Sequence, residues 1–252
     1  MQLNNLLQEM KKYVLALTMI FLYAEGFSIT DRVKLGLFAA PGISWMKPMG
    51  SEIHNGVAGF GLMYGLKIEY YFKDQNYAIS TGVYGGIDGG GLHGRDTLTS
   101  LNNGRSVLER YIANELVLPC YLKLKTNPIK GRFRLYGEVG FQMVFNVSAR
   151  ANFSSPVPSA YSGNGLVNIY KENVLRNGNE VQELIPNFRY RVFDFRLSAG
   201  GGAEYEVGRT TSVFFAIHYN NGFVNVINDK SVNPKHDPTV VRNLLFTIGA
   251  MF

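Results

Sequence analysis

The feature that most constrains this chain is residue-by-residue alternation sustained over long segments. In 132–150, Phe133, Leu135, Val139, Phe141, Met143, Phe145 and Val147 alternate with Arg132, Arg134, Tyr136, Glu138, Gln142 and Asn146. In 108–126, Ile112, Leu116, Leu118, Cys120, Leu122 and Leu124 share one face; Tyr111, Glu115, Val117, Tyr121, Lys123 and Lys125 share the other. In 190–207, Phe193, Phe195, Leu197, Ala199, Ala203 and Tyr205 alternate with Asp194, Arg196, Ser198, Glu204 and Glu206. Successive Cβ atoms of a strand point to opposite faces, so each segment reads as a strand with one apolar and one polar side. The same pattern recurs near 31–46, 57–72, 76–91, 211–224 and 239–252, which makes eight strands. Pro41 and Pro119 fall inside strands and cannot donate a ladder hydrogen bond, so a local bulge or break is expected at Pro119, and Pro41 poses the same question.

The joins between strands set the architecture. Short turns are expected at Lys73–Gln75, Asn127–Gly131 and Gly208–Thr210, and longer connections at 47–56, 92–107, 151–189 and 225–238. An up-and-down sheet trimmed at one end and elaborated at the other has the turn-and-loop asymmetry of an outer-membrane barrel. Phe72, Tyr77, Phe133, Tyr205 and Phe252 lie on the apolar faces at the short-turn end; Trp45, Phe145, Phe193 and Tyr219 lie there at the long-loop end. Two aromatic rings with aliphatic residues between them match the interfacial girdles of such barrels. A soluble, lipocalin-like barrel would invert the faces, with apolar residues inside. The charged face here is also glycine-rich (Gly59, Gly61, Gly65, Gly82, Gly140, Gly200, Gly202), which suits a crowded interior and favours the transmembrane form.

Composition narrows the alternatives. Charged residues make up 17%, against about a quarter in soluble domains. No apolar run reaches the roughly 18 residues of a spanning helix, so a helical membrane bundle is excluded. Cys120 has no partner for a disulfide. The net charge of +6 has no Lys/Arg cluster behind it, which gives nucleic-acid binding no support. Near the N-terminus, Lys11 and Lys12 precede the apolar stretch Tyr13 to Tyr23, with the small residues Ala24 and Gly26 beyond it. That order predicts a signal peptide over 1–26 and a mature barrel over 27–252, exported to the outer membrane. No Cys directly follows the apolar stretch, which excludes a lipoprotein anchor.

Several segments together resemble the PorT-like outer-membrane β-barrel proteins of Bacteroidota. YIANELVLPCYLKLKTN (111–127) resembles a family strand with a hydrophobic-Pro-Leu core followed by alternating Lys, and RFRLYGEVGFQM (132–143) is similar to the next strand. FDFRLSAGGGAEYEVG (193–208), FFAIHYNNGFVNV (214–226) and LLFTIGAMF (244–252) resemble the three closing strands. The resemblance covers essentially all of the mature chain. It implies the barrel fold and the outer-membrane location. The family takes its name from a component linked to type IX secretion, so the resemblance also points towards a secretion or assembly machine. By the same resemblance, the last strand, with Phe246, Ile248 and the terminal Phe252, looks like an assembly signal read by the barrel-insertion machinery.

An eight-stranded barrel has an interior just wide enough for side chains to fill it. The inward faces are expected to carry Lys34, Lys67, Lys123, Arg132, Arg134 and Arg196 against Glu69, Glu115, Glu138, Asp194, Glu204 and Glu206, with Tyr71, Tyr121 and Tyr136 adding bulk. Opposite charges enclosed on one surface are expected to pair, because an unmatched buried charge is costly. The function this favours is a structural or accessory envelope protein with a plugged lumen. A small transport barrel for ions or a hydrophobic ligand is the first alternative, and an enzyme at the rim using His93, Asp96 and Ser100 is the second. Those rim residues read more simply as a solvated loop, and GGIDGGGLHG (85–94) as a flexible extracellular loop without the context of a phosphate cradle. The four His (His54, His93, His218, His236) lack ligand spacing, so no metal and no cofactor is expected. The stretch 151–189, with Tyr161, Tyr170 and Leu175, is the candidate surface for envelope partners. Arg191 and Arg242 lie on the lipid side near the long loops, where they would meet lipopolysaccharide phosphates or snorkel to water.

Overall fold

The computed structural model describes residues 32–50, 54–95, 106–129, 131–154, 167–168, 171–176, 179–184, 190–208, 210–227 and 238–252. The predicted signal peptide over 1–26, Asp96, Ser100, His236 and most of 151–189, including Tyr161 and Tyr170, lie outside these residues. The strands are β1 (Val33–Pro48), β2 (His54–Tyr71), β3 (Tyr77–Arg95), β4 (Ser106–Lys125), β5 (Phe133–Ser154), β6 (Val167–Asn168), β7 (Lys171–Arg176), β8 (Asn179–Leu184), β9 (Phe193–Glu206), β10 (Ser212–Gly222) and β11 (Thr239–Met251).

Eight of them form a closed antiparallel barrel. Hydrogen bonding runs β4-β3-β2-β1-β11-β10-β9-β5, and β4 pairs with β5 to complete the ring. The first and last strands meet in register, Gly36 opposite Met251 and Pro48 opposite Thr239. β7 and β8 form a separate hairpin within the longest connection, and β6 adds two residues to the edge of β5. Alternation places Leu66, Ile68, Tyr70, Leu122, Leu124, Val139, Phe141, Phe215, Ile217, Phe246 and Ile248 on the exposed outer surface, while the polar partners of each strand are buried inside. The expected aromatic rings follow the same parity: Phe72, Tyr77, Phe133 and Tyr205 are exposed at one end and Phe193 and Tyr219 at the other.

The wall is uneven. β3, β4 and β5 have 19, 20 and 22 residues, whereas β9, β10 and β11 have 14, 11 and 13. Spanning a bilayer takes about 9–11 residues of tilted strand. The β3–β5 side therefore rises well past the membrane at the long-loop end.

Several expectations need correction. The connection expected over 47–56 is only 49–53, because β1 and β2 run further. The run 85–94 is strand, not loop: Gly85 pairs with Leu116 and Gly94 with Val107 along β4. Its inward glycines make room for neighbours, since a Cβ on Gly90 would lie 2.7 Å from the Met46 backbone nitrogen. Neither proline shifts the register. At Pro41 the β1–β11 ladder skips from Ala39↔Ile248 to Gly42↔Leu245, and at Pro119 the β3–β4 ladder skips from Thr81↔Cys120 to Tyr84↔Val117. The gap at Pro119 holds Gly82 at φ +154°, and Thr81 donates its hydroxyl to the Pro119 carbonyl at 2.7 Å. A true register shift occurs instead opposite Asn114 and Glu115, where β5 carries one extra residue. It flips the inward face of β5 from even positions (Val144, Asn146) to Ala149.

Candidate functional site

The lumen is where the chain concentrates its polar chemistry, and that chemistry falls into two clusters. Towards the short-turn end, Lys67 of β2 reaches across the interior to Glu138 of β5 at 2.6 Å and lies 3.3 Å from Glu69. Lys123 of β4 sits 2.6 Å from Glu69 and 3.5 Å from Glu204 of β9. Lys125 and Lys34 complete the shell of Glu204 at 3.2 and 4.0 Å, and the Ser212 hydroxyl donates to it at 2.7 Å. The Tyr71 hydroxyl donates to Glu69. Aromatic faces back the ammonium groups, with Lys123 4.1 Å from the Tyr136 ring centroid and Lys125 4.4 Å from that of Tyr71. His218 of β10, two strands along the ring from β5, joins as well: Nε2 lies 2.8 Å from Glu138 and Nδ1 3.3 Å from the Thr247 hydroxyl.

Towards the long loops, Arg196 of β9 is fully buried among three carboxylates. Its Nε donates to Asp194 at 2.6 Å, Nη1 to Asp88 of β3 at 2.5 Å, and Nη2 to Glu115 of β4 at 2.5 Å. A second bond from Nη1 to Glu115 at 3.1 Å makes that pair bidentate. Asn243 of β11 donates to Asp88 at 2.7 Å and accepts from Asn220 of β10 at 2.5 Å. One guanidinium thus ties five strands together through charged and amide groups.

Apolar layers lie between and above these clusters. Ala40, Met63, Tyr84, Val117, Val144 and Leu245 form one across the middle, with Phe38 packed edge-on to Tyr84 at 4.5 Å. Above Arg196, Met46, Leu92, Tyr111, Ala113, Ala149 and Val241 meet Tyr190, Val226 and Ile227, which the flanking connections fold inward. Tyr190 and Ile227 form a bridge there, and the Arg191 amide donates to the Val226 carbonyl at 2.8 Å. A cavity of about 30 Å³ lies beside His218, Gln142 and Asn220. That is room for a water or two and for nothing larger.

Of the residues expected in the lumen, Lys67, Glu69, Glu115, Lys123, Glu138, Asp194, Arg196 and Glu204 are buried together. Arg134 pairs with Glu206 at 2.9 Å, separately, at the short-turn rim. Arg132 is exposed in the turn before β5 and does not enter the lumen; the strand begins one residue after it, and Lys125 takes up the inward position. Sequence reading missed Asp88 and His218. Parity could have found both, since they follow the inward series Ser80, Tyr84, Asp88 and Phe214, Ala216, His218. Arg242 lies on the outer face opposite Trp45, and Arg191 is exposed just before β9. Phe246 and Ile248 face outward on β11, and Phe252 exchanges backbone hydrogen bonds with Leu35 at 3.1 and 2.7 Å. His54 and His93 are opposite each other on β2 and β3. Among the described residues no His, Cys, Asp and Glu group has the geometry of a metal site.

Comparison with known proteins gives one family. The model described as outer membrane protein beta-barrel domain matches residues 24–228. No curated protein sequence matches significantly. Among solved structures, the chain is similar to Neisserial surface protein A at 9% identity, with TM-score 0.41, over 86% of this chain and 95% of that one. It is also similar to Ail of Yersinia pestis (14% identity, TM-score 0.35, 88% and 99%). The N-terminal β-barrel domain of Pseudomonas aeruginosa OprF is a third (8% identity, TM-score 0.36, 88% and 98%).

Proposed function

The chain belongs to the outer membrane protein beta-barrel domain family, as a small eight-stranded barrel of the bacterial outer membrane, and on that premise we propose that it is a non-conducting structural or accessory protein of the envelope. One observation carries this reading: Arg196, held by Asp88, Glu115 and Asp194 from three strands, spans the interior beneath the apolar layer of Tyr190, Val226 and Ile227. Opening a path for ions past that point means separating buried charges, each separation costing several kcal/mol. The purified monomer in planar bilayers is expected to give no steady current. Sustained single-channel conductance would favour the transport alternative instead.

The finer parts of the proposal rest on sequence. Residues 1–26 are a signal peptide, and mass spectrometry of the outer-membrane form should find an N-terminus near Phe27; an intact Met1 there would overturn it. The PorT-like resemblance and the long segment 151–189 support an accessory role beside a secretion or assembly machine. Affinity purification from native membranes tests this by whether a defined envelope complex co-purifies with the intact protein and is lost when 155–166 is deleted. The barrel is proposed to work without catalysis, and an envelope activity abolished by His93→Ala would contradict that. Arg191 and Arg242 are proposed to contact lipopolysaccharide.

A further inference from the structure

The outer face of the barrel is electrically one-sided. Every Asp and Glu whose side chain is described either faces the lumen or, as Asp74, sits in a turn. The outward strand positions near the long loops carry cations instead: Lys47 on β1, Arg110 on β4, Arg150 on β5 and Arg242 on β11. At the short-turn end the corresponding outward positions are aromatic (Tyr70, Phe72, Tyr77, Phe133, Tyr205).

Two of these cations form a site. Trp45 is paired with Arg242, and Lys47 with Val240, so Lys47 and Arg242 are diagonal neighbours on one face, roughly 7–8 Å apart. Trp45 stacks at a tilt on Tyr219, with ring centroids 6.2 Å apart. The Arg242 Nε is buried and has no hydrogen-bond partner. The site therefore has two cations, an aromatic floor, an unsatisfied donor and no described carboxylate on the outer face to compete for them. Guanidinium and ammonium groups so placed suit a phosphate monoester, which accepts several charge-assisted hydrogen bonds at once. The aromatic floor sits where acyl chains meet headgroups.

We propose that Lys47 and Arg242, with Trp45 and Tyr219, bind a phosphate group of lipid A in the outer leaflet. The assignment deepens the lipopolysaccharide contact proposed above for Arg242 and supplies its missing partners. Charge complementarity selects the occupant: a leaflet dense in phosphorylated glycolipid surrounds the end of the barrel where the outward cations lie.

Trp45 is the single tryptophan of the chain, so its emission reports on this site alone. Titrating the detergent-solubilised full-length barrel with bisphosphorylated lipid A should give a saturable change in emission, and dephosphorylated lipid A should not. The Lys47→Gln/Arg242→Gln double variant should raise the apparent Kd roughly tenfold or more, since a hydrogen bond to a charged group contributes about 1.5–3 kcal/mol. Arg110→Gln, on the far side of the barrel, should leave the titration unchanged. Heat-dependent gel mobility checks folding, and Lys47→Gln alone serves if the double variant does not fold. An equal response to dephosphorylated lipid A or to phosphatidylglycerol, or an unchanged Kd in the Gln variants, would overturn the site. If Arg191→Gln weakens binding while these variants do not, the broader lipopolysaccharide contact stands and this site falls.

Discussion

Glu138 is held from two walls at once, by Lys67 at 2.6 Å and by His218 at 2.8 Å, in an interior that excludes bulk water. Removing it leaves Lys67 with the longer contact to Glu69 as its one carboxylate partner and takes away the group that His218 Nε2 meets. Glu138→Ala is expected to destabilise the barrel by roughly 3–5 kcal/mol, read as a lower urea midpoint in detergent. Replacing both ends, as in Lys67→Met with Glu138→Leu, should recover much of that loss because no unmatched charge remains. If the single and double variants unfold at the same denaturant concentration, the pair does not carry the stability assigned to it. That these groups share one face was legible from alternation, and the aromatic girdles of the other face and the glycines of this one indicated that it points inward. Their pairing was not legible, because Lys67 on β2 meets Glu138 on β5 across the lumen, and depth along a tilted strand is not written in the sequence. Asp88 was hidden by the glycines around it, whose density suggested a loop although parity continued through them.

The last strand shows what a single element contributes. β11 places Leu244, Phe246 and Ile248 outward and Asn243, Leu245 and Thr247 inward, and it pairs with β10 on one side and β1 on the other. Phe252 follows it with a reciprocal pair of backbone bonds to Leu35, which fixes this residue to the first strand at the point of closure. Deleting Phe252 is expected to lower the yield of folded barrel in the outer membrane, measured by the heat-shifted band in membrane fractions. Wild-type yield from the truncated chain would remove the assembly role proposed for this end. Strand number and order were legible here because each strand repeats one simple pattern. The bulge opposite Glu115 was not, since an extra residue in β5 changes parity only beyond Val147, where few large side chains mark the face.

At the scale of the whole molecule, the two prolines act together. Their ladder gaps fall in the β1–β11 and β3–β4 pairs, the two ladders that join β1, β2 and β3 to the other five barrel strands. Amides beside the gaps, at Gly82, Val83, Phe246 and Thr247, are expected to exchange with deuterium faster than those of the unbroken β9–β10 ladder. Uniform protection around the ring would contradict this.

The lumen pairs cross the same divide. Lys67 to Glu138, Lys123 to Glu69, Lys34 to Glu204, Arg196 to Asp88 and Asn243 to Asp88 each join the three-strand panel to the five-strand one. A cooper holds staves with a hoop around the outside, but lipid leaves no place for one. This barrel is also tied from within, so its interior charges act as tie-rods across the two ladders that the prolines interrupt, and they do so without touching lipid.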